Sequence, residues 1–254
     1  MLYILPTTHG VDVPSTIMKN VAPQIDESPI ILWDGEATAE NARKAILGHN
    51  PPYIFTTGHG LPCATTLQDL QPFISLAEPQ MSPYCKVERN LDIVKGRVWH
   101  VHSCWCGLQL AQEMVKRGAW AVFAHDKEFL FLMPKTGKID IITATPFLAE
   151  FTVDSAMLSG MTAGEAQKAR EKAYDHWLDY FLKGEGQKLD PAPLVARIVL
   201  ADKMISKLYG DPTATVVKPA GRKAFQLSLP LDRPVGGSAI WLALPVALLM
   251  FARG

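Results

Sequence analysis

Cysteine is scarce in this sequence, and an excess of charge of either sign is missing. Four cysteines in 254 residues are too few for a disulfide scaffold. Lys+Arg and Asp+Glu stand at 25 each, a formal net charge of +0, which removes any global electrostatic drive toward nucleic acid. No long Lys/Arg block appears either, so no nucleic-acid partner is expected. Internal repeats and low-complexity tracts are missing too. The N-terminus, MLYILPTTHG, has no basic stretch, and Pro6 cuts its short apolar run, so no secretory signal is expected. Together these absences point to a cytoplasmic protein whose cysteines are reduced thiols.

What is present is an ordinary globular balance, with 48% hydrophobic and 20% charged residues. The length suits one sizeable core with a small extension. We divide the chain into a main domain over 1–217 and a C-terminal apolar extension over 218–254. Val235 to Ala252 runs eighteen residues without a charge between Arg233 and Arg253, the short limit for a membrane span. Gly236, Gly237 and Pro245 weaken that reading. The alternative is two buried strands, AIWLAL and VALLMF. Membrane association through 235–252 and completion of a sheet both stay open.

Leu2 to Leu5, Pro29 to Trp33, Tyr53 to Thr57, Arg97 to Ser103, Trp120 to Ala124 and Phe129 to Met133 read as strands. Helices are expected over 39–47 with Thr38 as N-cap, over 107–116, over 162–183 and over 194–208. Strands alternating with helices argue for an α/β sandwich with a mainly parallel central sheet.

Two of these strands end in reactive side chains. YIFTT runs into Gly58-His59-Gly60, and RVWHVHS runs into Cys104, followed by Trp105-Cys106-Gly107. In open α/β sheets the functional crevice lies beyond the carboxyl ends of the strands. If the two strands are parallel neighbours, imidazole and thiol meet there, the pairing needed for a thiolate nucleophile. Gly58 and Gly60 permit a sharp turn and close approach. The N–H groups of Gly60 and Cys104 are candidates to face a developing oxyanion. A helix starting just after Cys104 would favour a thiolate through its dipole.

IFTTGHG followed by VHSCWCG resembles the His-Gly and Ser/Ala-Cys-x-x-Gly signatures of the caspase-like (clan CD) cysteine peptidases, which share the order strand-His-Gly, strand-Cys. The separation of 45 residues between His59 and Cys104 is of the expected size. DGEATAENARKAIL, LQLAQEMVKRGAWAVFA, FLAEFTVDSAMLSGMTAGEAQKA and LYGDPTATV look like later pieces of the CHAT and gingipain-like branch, in order, over about residues 30 to 217. The resemblance implies a caspase-like three-layer α/β/α sandwich. It implies a protease in which Cys104 is the nucleophile and His59 the general base, with no cofactor and no metal in catalysis. It also implies a protein substrate and a regulatory protein partner. Relatives that cut after Lys or Arg place an acid in the first specificity pocket; Asp34, Asp126 and Asp12 are candidates here, and Trp105 could wall a substrate pocket.

Other readings stay open. Cys106 competes with Cys104 as nucleophile. The chain could be a catalytically silent scaffold of the same fold. His100, His102, Cys104 and Cys106 look like metal ligands, although C-x-C beside H-x-H lacks the spacing of structural zinc. His9-Gly10 is a second His-Gly pair, too early relative to the Cys strand. Glu78 to Lys95 is polar and turn-rich, and is expected to be a mobile loop and a self-processing site.

Overall fold

A computed structural model describes residues 1–216 except His9, Pro79, Lys135 and Thr136, and of Asp69 the backbone alone. His9 and the apolar extension, 235–252 included, therefore lie outside the described residues.

Six strands form one sheet: β1 (Leu2–Leu5), β2 (Ile30–Trp33), β3 (Tyr53–Thr57), β7 (Val98–His102), β8 (Ala121–His125) and β9 (Ser206–Gly210). Their spatial order is β2-β1-β3-β7-β8-β9. The first five are parallel and β9 is antiparallel to β8. A smaller sheet of β4 (Gly60–Leu61), β5 (Ala64–Thr66) and β6 (Pro72–Ser75) branches off after β3.

Alternate residues along each strand serve two cores, which is why the strands read as continuous apolar runs. Tyr3, Tyr53, Phe55, Val98 and Phe123 face α1 (Asp12–Ile25), α4 (Ile141–Glu150), α5 (Thr152–Leu158), α6 (Ala163–Leu182) and α7 (Ala192–Ile205). Leu2, Ile4, Ile54, Trp99 and Val122 face α2 (Ala39–His49), α3 (Leu110–Lys116) and the segment around Ile93. The fold is thus a three-layer α/β/α arrangement with a largely parallel sheet.

Local chemistry explains the main boundaries. Thr38 caps α2 by accepting from the Asn41 N–H at 3.3 Å, and Asn50 closes it in the left-handed region. Thr162 and Glu165 form a reciprocal capping box at α6.

Several expectations need correction. The helix after Cys104 starts at Leu110 rather than 107, because residues 104–109 are spent on turns. Phe129 to Met133 is not a strand: the partner that β8 would have offered it is taken by β9. β9 itself was expected as the tail of the helix over 194–208, but Ser206–Gly210 leaves the helix to pair with β8. No single helix among the described residues is long and apolar enough to cross a membrane. The apolar pair α4 and α5 is core, packed on α1 and α6.

Two cysteines are not reduced thiols. Cys63 and Cys85 form a disulfide, with Cα atoms 6.1 Å apart, because the β4–β5 hairpin sets Cys63 over the turn Pro83–Cys85. Their separation of 22 residues carries no motif that announces the pairing. The same bridge ties down the segment expected to be mobile. Arg89 exchanges two backbone hydrogen bonds with Ser75, at 2.9 and 3.2 Å, Asn90 donates its amide to the Phe73 carbonyl at 2.6 Å, and Arg43 grips Asp92. Closing a loop of this size is worth about 3 kcal/mol. Replacing both cysteines with serine should therefore lower unfolding stability by about that amount in urea melts, and dithiothreitol should do the same to wild type alone. Superimposable melts would remove the bridge from the account.

Candidate active site

β3 and β7 are direct neighbours, paired in parallel from Tyr53↔Val98 to Thr57↔His102. The residues that follow them, Gly58-His59-Gly60 and Ser103-Cys104, leave the sheet at its carboxyl edge side by side. His59 is exposed and Cys104 is half-buried.

Gly60 sets the spacing. A Cβ on Gly60 would lie 1.9 Å from the Cys104 carbonyl oxygen and 2.7 Å from its nitrogen, so only glycine lets these two backbones touch. Gly58 is equally confined, with a Cβ falling 2.0 Å from the Thr66 carbonyl oxygen. Further bonds lock the hairpin after His59 onto the turn after Cys104. The Thr65 and Ser103 hydroxyls meet at 2.9 Å, the Leu110 N–H donates to the Pro62 carbonyl at 2.8 Å, and the Cys106 thiol donates to the Leu61 and Ala64 carbonyls at 3.6 and 3.5 Å.

A Gly60→Ala variant should force these backbones apart. A misplacement of about 1 Å at a reacting group costs roughly a hundredfold in rate. Thiol-probe labelling of Cys104 should fall by that order while the protein stays folded by circular dichroism. An unchanged labelling rate would show that the contact does not govern the site.

The two thiols differ sharply. Cys106 is fully buried in the core beneath α2 and α3, its thiol pushed far up by burial. Cys104 sits on the opposite face of the sheet and keeps some exposure. Burial raises its thiol above the ordinary value; the Phe129 N–H opposes this, and the Glu128 and Asp202 carboxylates add to the rise. The expected help from a helix dipole is missing, since α3 starts six residues later and spans 7 residues. Trp105 takes up the turn with φ 65°, and its N–H donates to the Lys127 carbonyl at 3.2 Å.

Of the proposed pocket residues, Trp105 and Asp126 lie at this edge. Asp126 accepts from the Tyr209 hydroxyl and backs Gly107, where an added Cβ would fall 2.3 Å from its Oδ1. Asp34 is elsewhere. It ends the edge strand β2, three strands from β7 and so about 14 Å away by strand spacing. There it accepts from the Thr7 hydroxyl and, at 3.4 Å, from the Gln68 amide, pinning a turn. Asp12 is in the first turn of α1.

Sequence reading missed Asp202. It is fully buried, accepts the Leu130 N–H at 2.8 Å through Oδ1, and has no partner for Oδ2 among the described residues. Burial pushes its carboxyl up to about 9. A lone acid within the apolar run ARIVLADKMI was the signal for it.

A second polar cluster lies under the Cys strand, on the face toward α4–α6. His100 donates toward Asp154 through Nδ1, 3.0 Å from both carboxylate oxygens, and toward Glu150 Oε1 through Nε2 at 3.1 Å. Glu150 Oε1 also faces His125 Nε2 at 3.2 Å and the Arg170 guanidinium. Its Oε2 accepts from Tyr174 and Ser206, both at 2.7 Å. The Tyr53 hydroxyl donates to Asp154 at 2.6 Å. Burial pulls His100 down, but Asp154 and Glu150 outweigh it and lift the ring to about 9. Burial lowers His102 and His125. Among the described residues, His102 Nδ1 and both ring nitrogens of His125 have no hydrogen-bond partner, at a typical cost of about 1–3 kcal/mol per buried polar group. The anticipated cluster of His100, His102, Cys104 and Cys106 does not form, because Cys106 lies on the other face of the sheet. His100 and His102 instead converge with Glu150, their ligand atoms within 4.8 Å of one another.

No family model matches the chain, and no curated protein matches it. The functional reading therefore rests on the residues and their placement.

Proposed function

We propose that the chain is a cysteine endopeptidase of the caspase-like, CHAT and gingipain-like kind, acting on a protein substrate. The observation that carries this reading is the contact of Gly60 with the Cys104 backbone, which commits the His59 turn to the Cys104 turn at the carboxyl edge of the sheet. The strands that run into His59 and Cys104 are adjacent and parallel, which supports this reading.

In this reading His59 takes the proton from the Cys104 thiol as sulfur attacks the scissile carbonyl. The N–H groups of Gly60 and Cys104 stabilise the resulting oxyanion. Collapse breaks the C–N bond, His59 returns its proton to the leaving amine, and water hydrolyses the thioester. Because burial and nearby carboxylates hold the Cys104 thiol up, attack depends on proton removal at the moment of reaction rather than on a resting thiolate. Trp105 and Asp126 border the substrate. A regulatory protein partner belongs to the same proposal.

One observation favours the silent scaffold instead: the same raised thiol beside Glu128 and Asp202. Labelling with an acyloxymethyl-ketone probe separates the two. A peptidase labels at Cys104 with dependence on His59, whereas a scaffold does not label in any variant.

A further inference from the structure

We propose that His100, His102, His125 and Glu150 form a buried site for one divalent transition metal of the zinc class, built under the strand that carries Cys104. The donors come from three elements. His100 and His102 are two residues apart on β7 and point to the same face. His125 ends the neighbouring strand β8, its ring centroid 5.0 Å from that of His102. Glu150 reaches down from the end of α4.

The ligand atoms stand close to the spacing an ion needs. Two ligands each 2.0–2.2 Å from one metal are about 3.3–3.6 Å apart in a tetrahedral site. His100 Nε2 and His125 Nε2 are 3.1 and 3.2 Å from Glu150 Oε1, and the His102 ligand atom lies within 4.8 Å of those of His100 and Glu150. The outer contacts are those of a supported site. Asp154 holds His100 Nδ1, Tyr53 holds Asp154, and Tyr174 with Ser206 holds Glu150 Oε2, so imidazole and carboxylate are both oriented from behind.

The alternative account of these atoms is an ion-pair core with His100 protonated between its two carboxylates. That account leaves His125 without a hydrogen bond at either nitrogen and His102 without one at Nδ1, although His125 is 0% exposed and His102 5%. It also leaves His125 Nε2 3.2 Å from a Glu150 Oε1 already occupied by His100 and Arg170, while Tyr174 and Ser206 fill Oε2. An ion between the imidazoles and Oε1 gives one nitrogen of each ring a partner, because that nitrogen then donates its lone pair to the metal. The three mutually close ligands, with His125 beside Glu150 as the fourth, would make a closed, structural site in a buried core rather than one that activates water.

The test is elemental analysis of the full chain grown with zinc and purified without a metal-affinity step. About one metal per chain is expected in wild type and in the Cys104→Ala, Cys106→Ala double variant. Less than about a tenth is expected in His102→Ala and in Glu150→Gln, the size of loss typical at a metal centre. Those two variants remove core groups and could fail to fold, so wild type is also unfolded with a chelator and refolded with cobalt. Visible cobalt d–d bands without a thiolate charge-transfer band support a nitrogen and oxygen ligand set. A thiolate band, or metal lost with the cysteines, overturns the ligand assignment. A metal-free wild type that refolds to the same melting temperature with or without added zinc overturns the site and leaves the ion-pair core.

Discussion

Cys104→Ala is expected to abolish covalent labelling by a thiol-directed acyloxymethyl ketone, while Cys106→Ala keeps the wild-type rate. The difference follows from position. Cys106 is 0% exposed and its thiol is engaged by two carbonyls, so a probe cannot reach it without unfolding. Cys104 opens at the sheet edge. His59→Ala should slow labelling by about 100-fold or more, the usual contribution of general acid–base assistance. The rate should also climb with pH. Burial raises the Cys104 thiol above its ordinary value, so at neutral pH the thiolate is a minor form. Its fraction then grows about tenfold per pH unit until the raised value is reached. A flat profile across the neutral range would instead indicate a resting thiolate. Labelling that persists in Cys104→Ala, or is absent in every form, would remove the peptidase proposal.

The second large effect is on stability. Arg170 is fully buried and its guanidinium faces Glu150, itself fully buried. Arg170→Met should cost about 3–5 kcal/mol, because removing one partner leaves an uncompensated carboxylate in the core. For a domain of this size that lowers the melting temperature by roughly 10 °C or more. Adding Glu150→Leu should not recover the loss, because it also strips His100, Tyr174 and Ser206 of their partner, although the two changes share one interaction and should not simply add. A single variant within about 1 kcal/mol of wild type would mean that Glu150 is neutralised by other donors. Differential scanning calorimetry of the three proteins decides this.

Much of the sheet could be read in advance, and the reason is physical. Each strand buried on both faces gives a short apolar run, and PIILW, YIFTT, RVWHVHS and WAVFA all mark one. Thr38 then marks the start of α2, and Gly58-His59-Gly60 the end of β3. Elements whose identity depends on partners were harder. α4 is apolar on nearly every side, so IITATPFLAE shows no helical stripe, and Pro146 adds a false break signal. α1 contains Pro14 and Pro23, which mask its helical pattern in a similar way. SKLYG continues an apolar helical pattern and becomes a strand because β8 offers a free edge.

At the site, the His59 and Cys104 turns were legible because each interrupts a strand pattern with glycine or cysteine. The placement of Asp34 was not, since a strand's position in the sheet is set by pairing rather than by sequence order. The cluster around Glu150 was hidden for the same reason. Its members come from β3, β7, β8, α4, α5, α6 and β9, and no local window contains more than two of them.

The excursion from Gly58 to Arg97 lies outside the main sheet, between two strands that are paired at its centre. Lys86 and Arg89 are exposed within it. A single cut after either would place His59 and Cys104 on separate polypeptides. Neither piece would be free to leave, because β3 and β7 are joined through five registered residue pairs and flanked on both sides by further strands. Such a nicked molecule would migrate as one species on a sizing column and as two bands in detergent. Its two reactive groups, carried by different chains, would be held together by the sheet and by the contacts between the hairpin after His59 and the turn after Cys104.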